Sequence, residues 1–297
     1  MRRDGLLTKS LLAAGLLVML WGTRAFHPEG AHVSLAPAID LAGEGWPMRV
    51  LSWNIGQAYD GGESRAPAGI LEHVAQVIEM EQPLVVALQE LRGRDQMETL
   101  VTRLEGGYQG YLAEGGDADR HTGILVRNLE GGGGREFRAV QTGAGRDAAA
   151  AIFRLPRSQI RICAISVHAD AWDPDARARY TRKLVDWGRR QKYDVVFLAG
   201  DLNLEAGTEA GGEALFTRSQ ETDSASYEYV TRHFRDLGLH GGDTALPGRR
   251  IDYVFARGRQ LKVKRVAVLK GHRAGRMDHR PLVVDALIPK PMILTRR

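Results

Sequence analysis

Polar residues of the kinds that bind cations and move protons end several apolar runs in this chain of 297 residues. The residues are Asn54, Glu90, His168, Asp201, Asn203, Asp252, Asp278 and His279. Metal-assisted attack on a phosphorus ester uses groups of these kinds: carboxylate oxygens, orienting amides, a candidate base and two histidines. The set therefore predicts chemistry on a phosphate ester.

The stretch Gly200 to Asn203 has two explanations. The apolar run before it, 195–199, predicts a strand buried on both faces, and the alternation of a strand then points Asp201 and Asn203 to the same side. Side by side, these two side chains could hold a water molecule and a phosphate oxygen. Asx residues also end strands in ordinary turns, so this stretch by itself does not separate the two explanations.

Strands and helices in alternation must position these residues. The predicted strands are 49–55, 84–88, 122–127, 136–140, 149–155, 159–168, 195–199, 250–256, 261–269 and 281–288, and the predicted helices are 68–81, 94–104, 175–192 and 224–237. Glycines 131–134 and Pro156 predict turns that close two hairpins, 122–127 with 136–140 and 149–155 with 159–168. Hairpins between long helices favour an α/β fold in which mixed sheets pack face to face with helices outside.

The polar motifs, taken in order, resemble those of the endonuclease/exonuclease/phosphatase superfamily, the fold of deoxyribonuclease I, exonuclease III and neutral sphingomyelinases. The motifs are WNI with Asn54, LQE with Glu90, VH with His168, GDLN with Asp201 and Asn203, IDY with Asp252, and DHRP with Asp278 and His279. They span residues 48–288. The resemblance implies a four-layered α/β/β/α sandwich of two mixed β-sheets flanked by helices, and hydrolysis of phosphodiesters or phosphomonoesters.

The resemblance also implies a divalent cation, usually Mg²⁺, with Mn²⁺ or Ca²⁺ as substitutes. Glu90 is the expected principal ligand, with Asn54 beside it and Asp278 as an additional or water-mediated ligand. The chain departs from the family pattern at two positions. Met277 stands where the family often has a serine before the Asp-His pair, and Gly56 stands where nucleases of the exonuclease III type often have an acidic residue.

For proton transfer, the resemblance implies that Asp201 orients and deprotonates the attacking water while Asn203 donates to the phosphate. His279 is expected to contact the phosphate as an imidazolium. Its partner is expected to be Asp252, which would raise the pKa of His279 by stabilising the charged form. His168 is the expected further donor to the phosphate or the leaving group.

Arginines crowd the expected rim of this site. Arg92, Arg250, Arg276 and Arg280 are predicted to bind the substrate, and they favour nucleic acid because guanidinium groups suit a chain of phosphates. The same arginines could instead be solvated loop charges paired with nearby acids. Trp172 could stack on a base, enter a lipid headgroup layer or pack on the following helix.

Three functions follow from these residues. A nuclease is the preferred one, and a phospholipid, sphingomyelin or inositol phosphate hydrolase of the same fold is the alternative. A non-catalytic member that binds a phosphorylated ligand or a protein is a third, and it is disfavoured because none of the core site residues is lost. We predict a monomer without an obligate protein partner.

The N-terminus predicts export to the periplasm or the medium. Arg2, Arg3 and Lys9 precede the apolar run 11–21, which is shorter than the roughly 20 residues that a membrane span needs. Residues 1–25 are therefore a predicted signal peptide with a cleavage site at 23–25, or else an uncleaved anchor, and the paired arginines hint at twin-arginine export.

The rest of the chain divides into a tether over 26–46, a catalytic domain over 47–290 and a tail over 291–297. Without residues 1–25, which carry four basic and one acidic side chain, the net charge of +5 falls to about +2. A nearly neutral domain gives no global argument for nucleic acid, so any such argument must be local. The single cysteine, Cys163, excludes an intrachain disulfide.

Overall fold

The computed structural model describes residues 45–58, 68–116, 120–130, 134–205, 220–275 and 277–290. The predicted signal peptide, all but the last two residues of the tether, the tail and Arg276 lie outside the described residues. None of the described helices is long and apolar enough to cross a membrane.

Twelve strands and four helices make up the described chain, together with a short 3-10 turn at Gly56–Ala58. In chain order they are β1 (Gly45–Asn54), α1 (Ala68–Glu81), β2 (Val85–Leu91), α2 (Arg94–Arg103), β3 (Tyr108–Ala113), β4 (His121–Arg127), β5 (Glu136–Val140), β6 (Ala148–Arg154), β7 (Arg161–His168), α3 (Pro174–Arg190), β8 (Val195–Asp201), α4 (Gln220–Thr231), β9 (Arg235–Asp236), β10 (Asp252–Gly258), β11 (Lys262–Val268) and β12 (Leu282–Pro289).

The strands form two mixed sheets of six. The first has the order β11-β12-β1-β2-β4-β3 and the second the order β5-β6-β7-β8-β10-β9. Each sheet has one parallel pair at its centre, β1 with β2 and β7 with β8, flanked by antiparallel neighbours. Since the two strands of a parallel pair end at the same edge, each sheet presents two adjacent carboxyl ends.

Three apolar layers hold the sandwich together. Side chains from the inner faces of both sheets, such as Val50 and Phe197, form the central layer. The outer face of the first sheet packs on α1, whose Val74 and Ile78 are buried, and the outer face of the second sheet packs on α3 and α4. Burying one such side chain stabilises the fold by about 1.5–3 kcal/mol. The predicted α/β/β/α sandwich of two mixed sheets is confirmed.

Most predicted elements form, and the hairpin of β6 with β7 is confirmed. The predicted hairpin of 122–127 with 136–140 is wrong, because β4 lies in the first sheet between β2 and β3 whereas β5 is the edge of the second sheet. The burial explains the difference: β4 is buried along nearly its whole length, as an interior strand must be, and β5 is mostly half-buried. Residues 131–133 of the predicted glycine turn lie outside the described residues.

Two further elements differ from the prediction. β3, at Tyr108–Ala113, is absent from the predicted strands, since Gly106, Gly107 and Gly110 weaken the strand pattern there. The predicted helix over 224–237 is α4, which begins at Gln220 and ends at Thr231, and the chain then forms the short strand β9. Both differences lie outside the strands that carry the predicted site.

Candidate active site

The carboxyl ends of β1 and β2 meet those of β7 and β8 across the gap between the sheets. Asn54 Nδ2 donates to Asp201 Oδ2 at 3.0 Å and to Glu90 Oε1 at 3.3 Å. His168 Nε2 lies 3.6 Å from Glu90 Oε1 and 3.8 Å from Asp201 Oδ2. Four residues from four strands thus form one cluster, at the edge where open α/β sheets bind their ligands.

Asp201 has two different environments at its two carboxylate oxygens. Oδ1 accepts the backbone N–H of Asn203 at 2.9 Å and so closes an Asx turn. Oδ2 accepts from Asn54 and lies 3.5 Å from His279 Nε2. The turn that the second explanation predicts is present at one oxygen, and the other oxygen belongs to the cluster. The predicted contact with a water molecule and a phosphate stays a prediction.

Asn203 borders the cluster on the turn that follows β8. Its backbone has a φ of 50°, a left-handed conformation that asparagine tolerates better than most residues. The side-chain Nδ2 donates to the carbonyl oxygen of Ala169 at 3.2 Å, which ties the turn to the end of β7. An amide nitrogen carries two N–H groups, so this bond is compatible with the predicted donation to phosphate.

Gly200 allows β8 to approach β7 at this edge. Its φ is 151°, and a Cβ placed on it would lie 2.0 Å from the carbonyl oxygen of Val167. Any other residue would therefore push the two strands apart. The glycine preserves the pairing in which His168 and Asp201 are directly opposite each other.

His279 connects two carboxylates, and Asp252 is its closest partner. Asp252 Oδ2 accepts from His279 Nδ1 at 2.9 Å, and His279 Nε2 lies 3.5 Å from Asp201 Oδ2. Thr244 Oγ1 accepts the backbone N–H of Asp252 at 3.0 Å, which fixes the start of β10. Burial lowers the pKa of His279, but the charges of Asp252 and Asp201 outweigh burial and raise that pKa to about 10. His279 is therefore an imidazolium at neutral pH.

Asp201 is a carboxylate with an unusually high pKa. Burial raises the pKa of Asp201 to about 7, and the negative charge of Asp252 acts in the same direction. The positive charge of His279 and the hydrogen bonds from Asn54 and Asn203 oppose this rise. A carboxyl group that titrates near neutral pH is well suited to accept a proton from water.

His168 is a neutral imidazole. Burial, followed by the positive charges of Arg146, His279 and Arg120, holds the pKa of His168 well below its usual value. Its backbone N–H donates to the hydroxyl oxygen of Tyr180 on α3 at 3.2 Å. A neutral imidazole can donate through one ring nitrogen, as its predicted role requires.

Glu90, Asn54 and Asp278 are the residues predicted to hold the cation, and their oxygen atoms fit a hard divalent ion. Glu90 has a φ of 57°, and its side chain is 15% exposed. Asn54 Oδ1 accepts the backbone N–H of Gly56 at 3.0 Å, so the Asn54 amide also orients the carboxylates of Glu90 and Asp201. Asp278 Oδ2 accepts from Arg249 Nη2 at 2.8 Å, which suits a supporting ligand better than a principal one.

A second group of ligand atoms lies in the same cluster. Asp201, Asp252 and His279 bring ligand atoms within 4.8 Å of one another, close enough to hold a metal ion. A cation there would have to displace a proton of His279, whose pKa is raised. The trio therefore suits proton transfer better than it suits a cation.

The two departures from the family pattern lie against each other. Gly56 has a φ of 49°, and a Cβ placed on it would lie 1.7 Å from Met277 Sδ. The methionine side chain therefore occupies the space that a side chain at position 56 would need. A larger side chain at position 56 would therefore not fit beside Met277, and position 56 offers no side-chain oxygen to a cation.

The predicted substrate-binding arginines occupy different environments. Arg250 is buried, with its guanidinium paired to Asp236 and stacked on the Tyr253 ring, 4.5 Å from the ring centroid. This position indicates a structural role, which corrects the prediction that it binds substrate. Arg92 is exposed just beyond Glu90, and Arg280 is half-buried next to His279, so both remain predicted contacts.

Two arginines outside the predicted set lie beside the cluster. Arg120 Nε is 4.0 Å from Glu90 Oε2, and Arg146 Nη1 donates to the Ala169 carbonyl oxygen at 3.2 Å. Arg120 precedes β4, which runs antiparallel to β2, the strand that carries Glu90. Arg146 precedes β6, which runs antiparallel to β7, the strand that carries His168. Only the strand pairing identifies these loops as part of the site edge, so the sequence pattern did not single them out.

Comparison with known families agrees with this geometry. The Endonuclease/Exonuclease/phosphatase family matches residues 51–274, most of the chain, and the protein belongs to this family. Members are in general hydrolases of phosphodiesters or phosphate esters and typically depend on a divalent metal. No curated protein sequence matched the chain.

Solved structures share the fold at low identity. A Bacteroides vulgatus endonuclease/exonuclease/phosphatase is 18% identical with a TM-score of 0.63, over 82% of this chain and 99% of that one. D. rerio TDP2 in complex with a single-strand DNA product is 15% identical with a TM-score of 0.59, over 81% and 98%. The human Nocturnin catalytic domain with a bound sulfate anion is 18% identical with a TM-score of 0.59, over 81% and 94%.

Proposed function

We propose that this protein is an exported, Mg²⁺-dependent phosphodiesterase whose substrate is nucleic acid. The observation that carries the proposal is the contact of Asp201 Oδ2 with both Asn54 and His279, next to Glu90. This arrangement puts a base, an imidazolium and a cation ligand around one point. Attack of water on a phosphate needs all three.

The proton-transfer residues support in-line attack. Asp201 Oδ2 accepts a proton from water as the water oxygen bonds to phosphorus, while Oδ1 stays in its turn and keeps the carboxylate oriented. The imidazolium of His279 donates to a non-bridging phosphate oxygen and stabilises the charge that develops there. The bond to the leaving alkoxide then breaks, His168 donates a hydrogen bond to the alkoxide, and the alkoxide takes up a proton from solvent.

Glu90, with Asn54 and Asp278 in support, would hold Mg²⁺, which supplies positive charge for a non-bridging oxygen and the leaving alkoxide. Asn54 would meanwhile keep Glu90 and Asp201 at a fixed separation through its two N–H contacts. The bond from Arg249 holds Asp278 beside His279.

Arginines on the rim support nucleic acid as the substrate. Arg120 and Arg146 flank the cluster from the two sheets, and Arg92 and Arg280 lie at the same edge. A row of guanidinium groups matches successive backbone phosphates. A solved structure of D. rerio TDP2, which shares the fold, holds a single-strand DNA product.

Export is the part of this proposal that rests on the N-terminal sequence. The basic residues and short apolar run of 1–25 have the form of a signal peptide. We expect that cells expressing the full chain secrete the protein. Mass spectrometry of the secreted protein should show that residues 1–25 have been removed. Retention of the intact N-terminus would contradict cleavage.

A parallel assay with purified residues 26–297 tests the function. Plasmid DNA, RNA, sphingomyelin and a soluble phosphoinositide are each incubated with Mg²⁺, with and without EDTA. We expect cleavage of a nucleic acid alone, loss of cleavage with EDTA and recovery when Mg²⁺ is returned. Hydrolysis of a lipid alone would keep the site and overturn the substrate.

In the same assay, two variants distinguish the role of cation ligand from the role of general base: Glu90→Gln and Asp201→Asn. We expect Glu90→Gln to raise the Mg²⁺ concentration for half-maximal rate at least tenfold, because it removes the charge that attracts the cation. Asp201→Asn should lower the rate at every Mg²⁺ concentration. His240→Ala, an exposed histidine on another part of the surface, is the control and should behave as wild type.

A further inference from the structure

Trp172 is a large apolar side chain that is mostly exposed to solvent. It is 67% exposed, and among the described residues Leu239, at 51%, is the other large apolar side chain with such exposure. An exposed indole of this size commonly marks a binding surface.

The backbone that carries Trp172 is held firmly. Asp170 Oδ1 accepts the backbone N–H groups of Trp172 and Asp173 at 2.7 Å and 2.8 Å. Arg177, which is fully buried, donates from Nη1 to the carbonyl oxygen of Asp170 at 2.8 Å and from Nε and Nη2 to Asp223 Oδ1. The exposure of the indole is therefore a property of an ordered loop.

This loop begins inside the active-site edge. Ala169 donates its N–H to the carbonyl oxygen of Asp201 at 2.9 Å, and its own carbonyl oxygen accepts from Asn203 and Arg146. Trp172 is three residues further on, and three residues span at most about 10 Å. The indole is thus within reach of a nucleotide that adjoins the phosphate at the cluster.

We propose that Trp172 stacks on an unpaired base next to the cleaved phosphate and so gives the enzyme a preference for single-stranded nucleic acid. The inference rests on the proposed function and names the form of its substrate. An indole stacks on the face of a base, and both faces are covered inside a duplex, so an unpaired base is required. The fixed loop reduces the entropy lost when the base docks.

The position of this loop at the active-site edge favours a base over a lipid surface, because Ala169 at its start contacts Asp201, Asn203 and Arg146. Asp170, Asp173 and Asp175 lie near Trp172 in sequence, and their charges repel lipid and nucleic-acid phosphates alike. Arg146, which contacts the start of the same loop, supplies the cation that a phosphate next to the stacked base would need.

The test compares three substrates with Trp172→Ala, Trp172→Phe and Leu239→Ala. The substrates are a single-stranded oligonucleotide, the same oligonucleotide with abasic residues, and bis(p-nitrophenyl) phosphate. We expect Trp172→Ala to lower kcat/KM about tenfold on the first substrate and to leave the other two unchanged, because only the first offers a base to stack upon. Trp172→Phe should recover most of the loss, and Leu239→Ala should match wild type.

The outcomes separate this inference from the proposed function. A wild-type protein that cleaves the oligonucleotide, with Trp172→Ala equally active, would overturn the stacking role alone. An equal loss on bis(p-nitrophenyl) phosphate would assign Trp172 to the fold and also overturn it. If the wild type cleaves bis(p-nitrophenyl) phosphate but no nucleic acid, the proposed function and this inference fail together. Binding of phosphatidylglycerol vesicles that Trp172→Ala abolishes would assign the indole to a membrane instead.

Discussion

At the scale of single residues, two histidines of one buried cluster have opposite charge states. His279 lies beside two carboxylates, which raise its pKa to about 10, whereas burial and nearby arginines hold the pKa of His168 well below its usual value. Both side chains are almost completely buried, so depth does not separate them. His279 has a direct hydrogen bond to Asp252 at 2.9 Å, whereas the carboxylates nearest to His168 lie 3.6 Å and 3.8 Å away. One histidine can therefore neutralise a phosphate while the other acts as a neutral donor.

His279→Ala and Asp201→Asn should each lower kcat on bis(p-nitrophenyl) phosphate at least 100-fold, the usual range for acid–base and electrostatic groups. The first change removes the imidazolium that faces Asp201, and the second removes the base. Circular dichroism and thermal unfolding should show that both variants remain folded. Near-wild-type turnover in both would reject the assignment of this trio.

The pH dependence of kcat/KM should be bell-shaped. The rate rises with pH as Asp201 ionises, because only the carboxylate accepts a proton, and its pKa is about 7. The rate falls again through the pKa of His279, about 10, because the imidazolium is lost there. A divalent cation bound beside Asp201 would move the acid limb to lower pH, because its charge would favour the ionised carboxylate.

Asp252→Asn tests which group sets the alkaline limb of that profile. Removing the carboxylate removes the charge that does most to raise the pKa of His279, so the limb should move to lower pH. The measurement is kcat/KM across both limbs at saturating Mg²⁺ for the variant and the wild type. An alkaline limb that stays in place would show that His279 does not set it.

At the scale of elements, α3 and α4 are joined by one buried ion pair. Arg177 on α3 and Asp223 on α4 are both almost fully buried and lie 2.8 Å apart. Asp223 Oδ2 also accepts the backbone N–H of Glu205 at 3.3 Å, and Arg177 binds the loop after β7. The pair thus links both helices to the two loops that border the site.

Arg177→Met should lower the free energy of unfolding by about 3–5 kcal/mol, because it removes the buried guanidinium that balances the charge of Asp223 in the core. The double variant Arg177→Met with Asp223→Leu should lose clearly less, since no buried charge remains. Urea unfolding of both variants measures the difference. Arg232→Met, which breaks an exposed pair with Glu228, is the control and should cost under about 1 kcal/mol. A double variant less stable than Arg177→Met would contradict this account.

At the scale of the whole molecule, the ends of the described domain lie opposite the active site. Gly45, at the start of β1, pairs with Pro289 at the end of β12, whereas Asn54 at the other end of β1 belongs to the site. The ten residues of β1 span about 30 Å at roughly 3.3 Å per residue. A chain attached ahead of Gly45 therefore leaves at the far end of the sandwich.

A globular protein fused ahead of residue 45 should leave kcat/KM within about twofold of the unfused protein, on both bis(p-nitrophenyl) phosphate and an oligonucleotide. The same protein inserted between β3 and β4 should lower the rate on the oligonucleotide strongly, because that loop opens at the site edge. Steady-state kinetics of the two fusions provides the comparison. A large loss from the N-terminal fusion would contradict the opposite placement of site and terminus.

The sequence determined the order of the strands that carry the site and the residue types at their ends. Continuous apolar runs such as 195–199 predict buried strands, and the polar residue that ends each run marks the edge. Asn54, Glu90, His168 and Asp201 could be predicted in this way because pattern and chemistry are both local in the chain. Asp252 and His279 came from the same search for polar residues, and the family motifs implied that the two are partners.

The tertiary structure alone decided what depends on contacts between distant parts of the chain. Strand pairing placed β4 and β5 in different sheets, brought Arg120 and Arg146 to the cluster, and buried Arg250 against Asp236. It also divided the two oxygens of Asp201 between a turn and the site. The local sequence does not determine which strands become neighbours, because strand pairing depends on which sheet faces are buried once the whole sandwich has assembled.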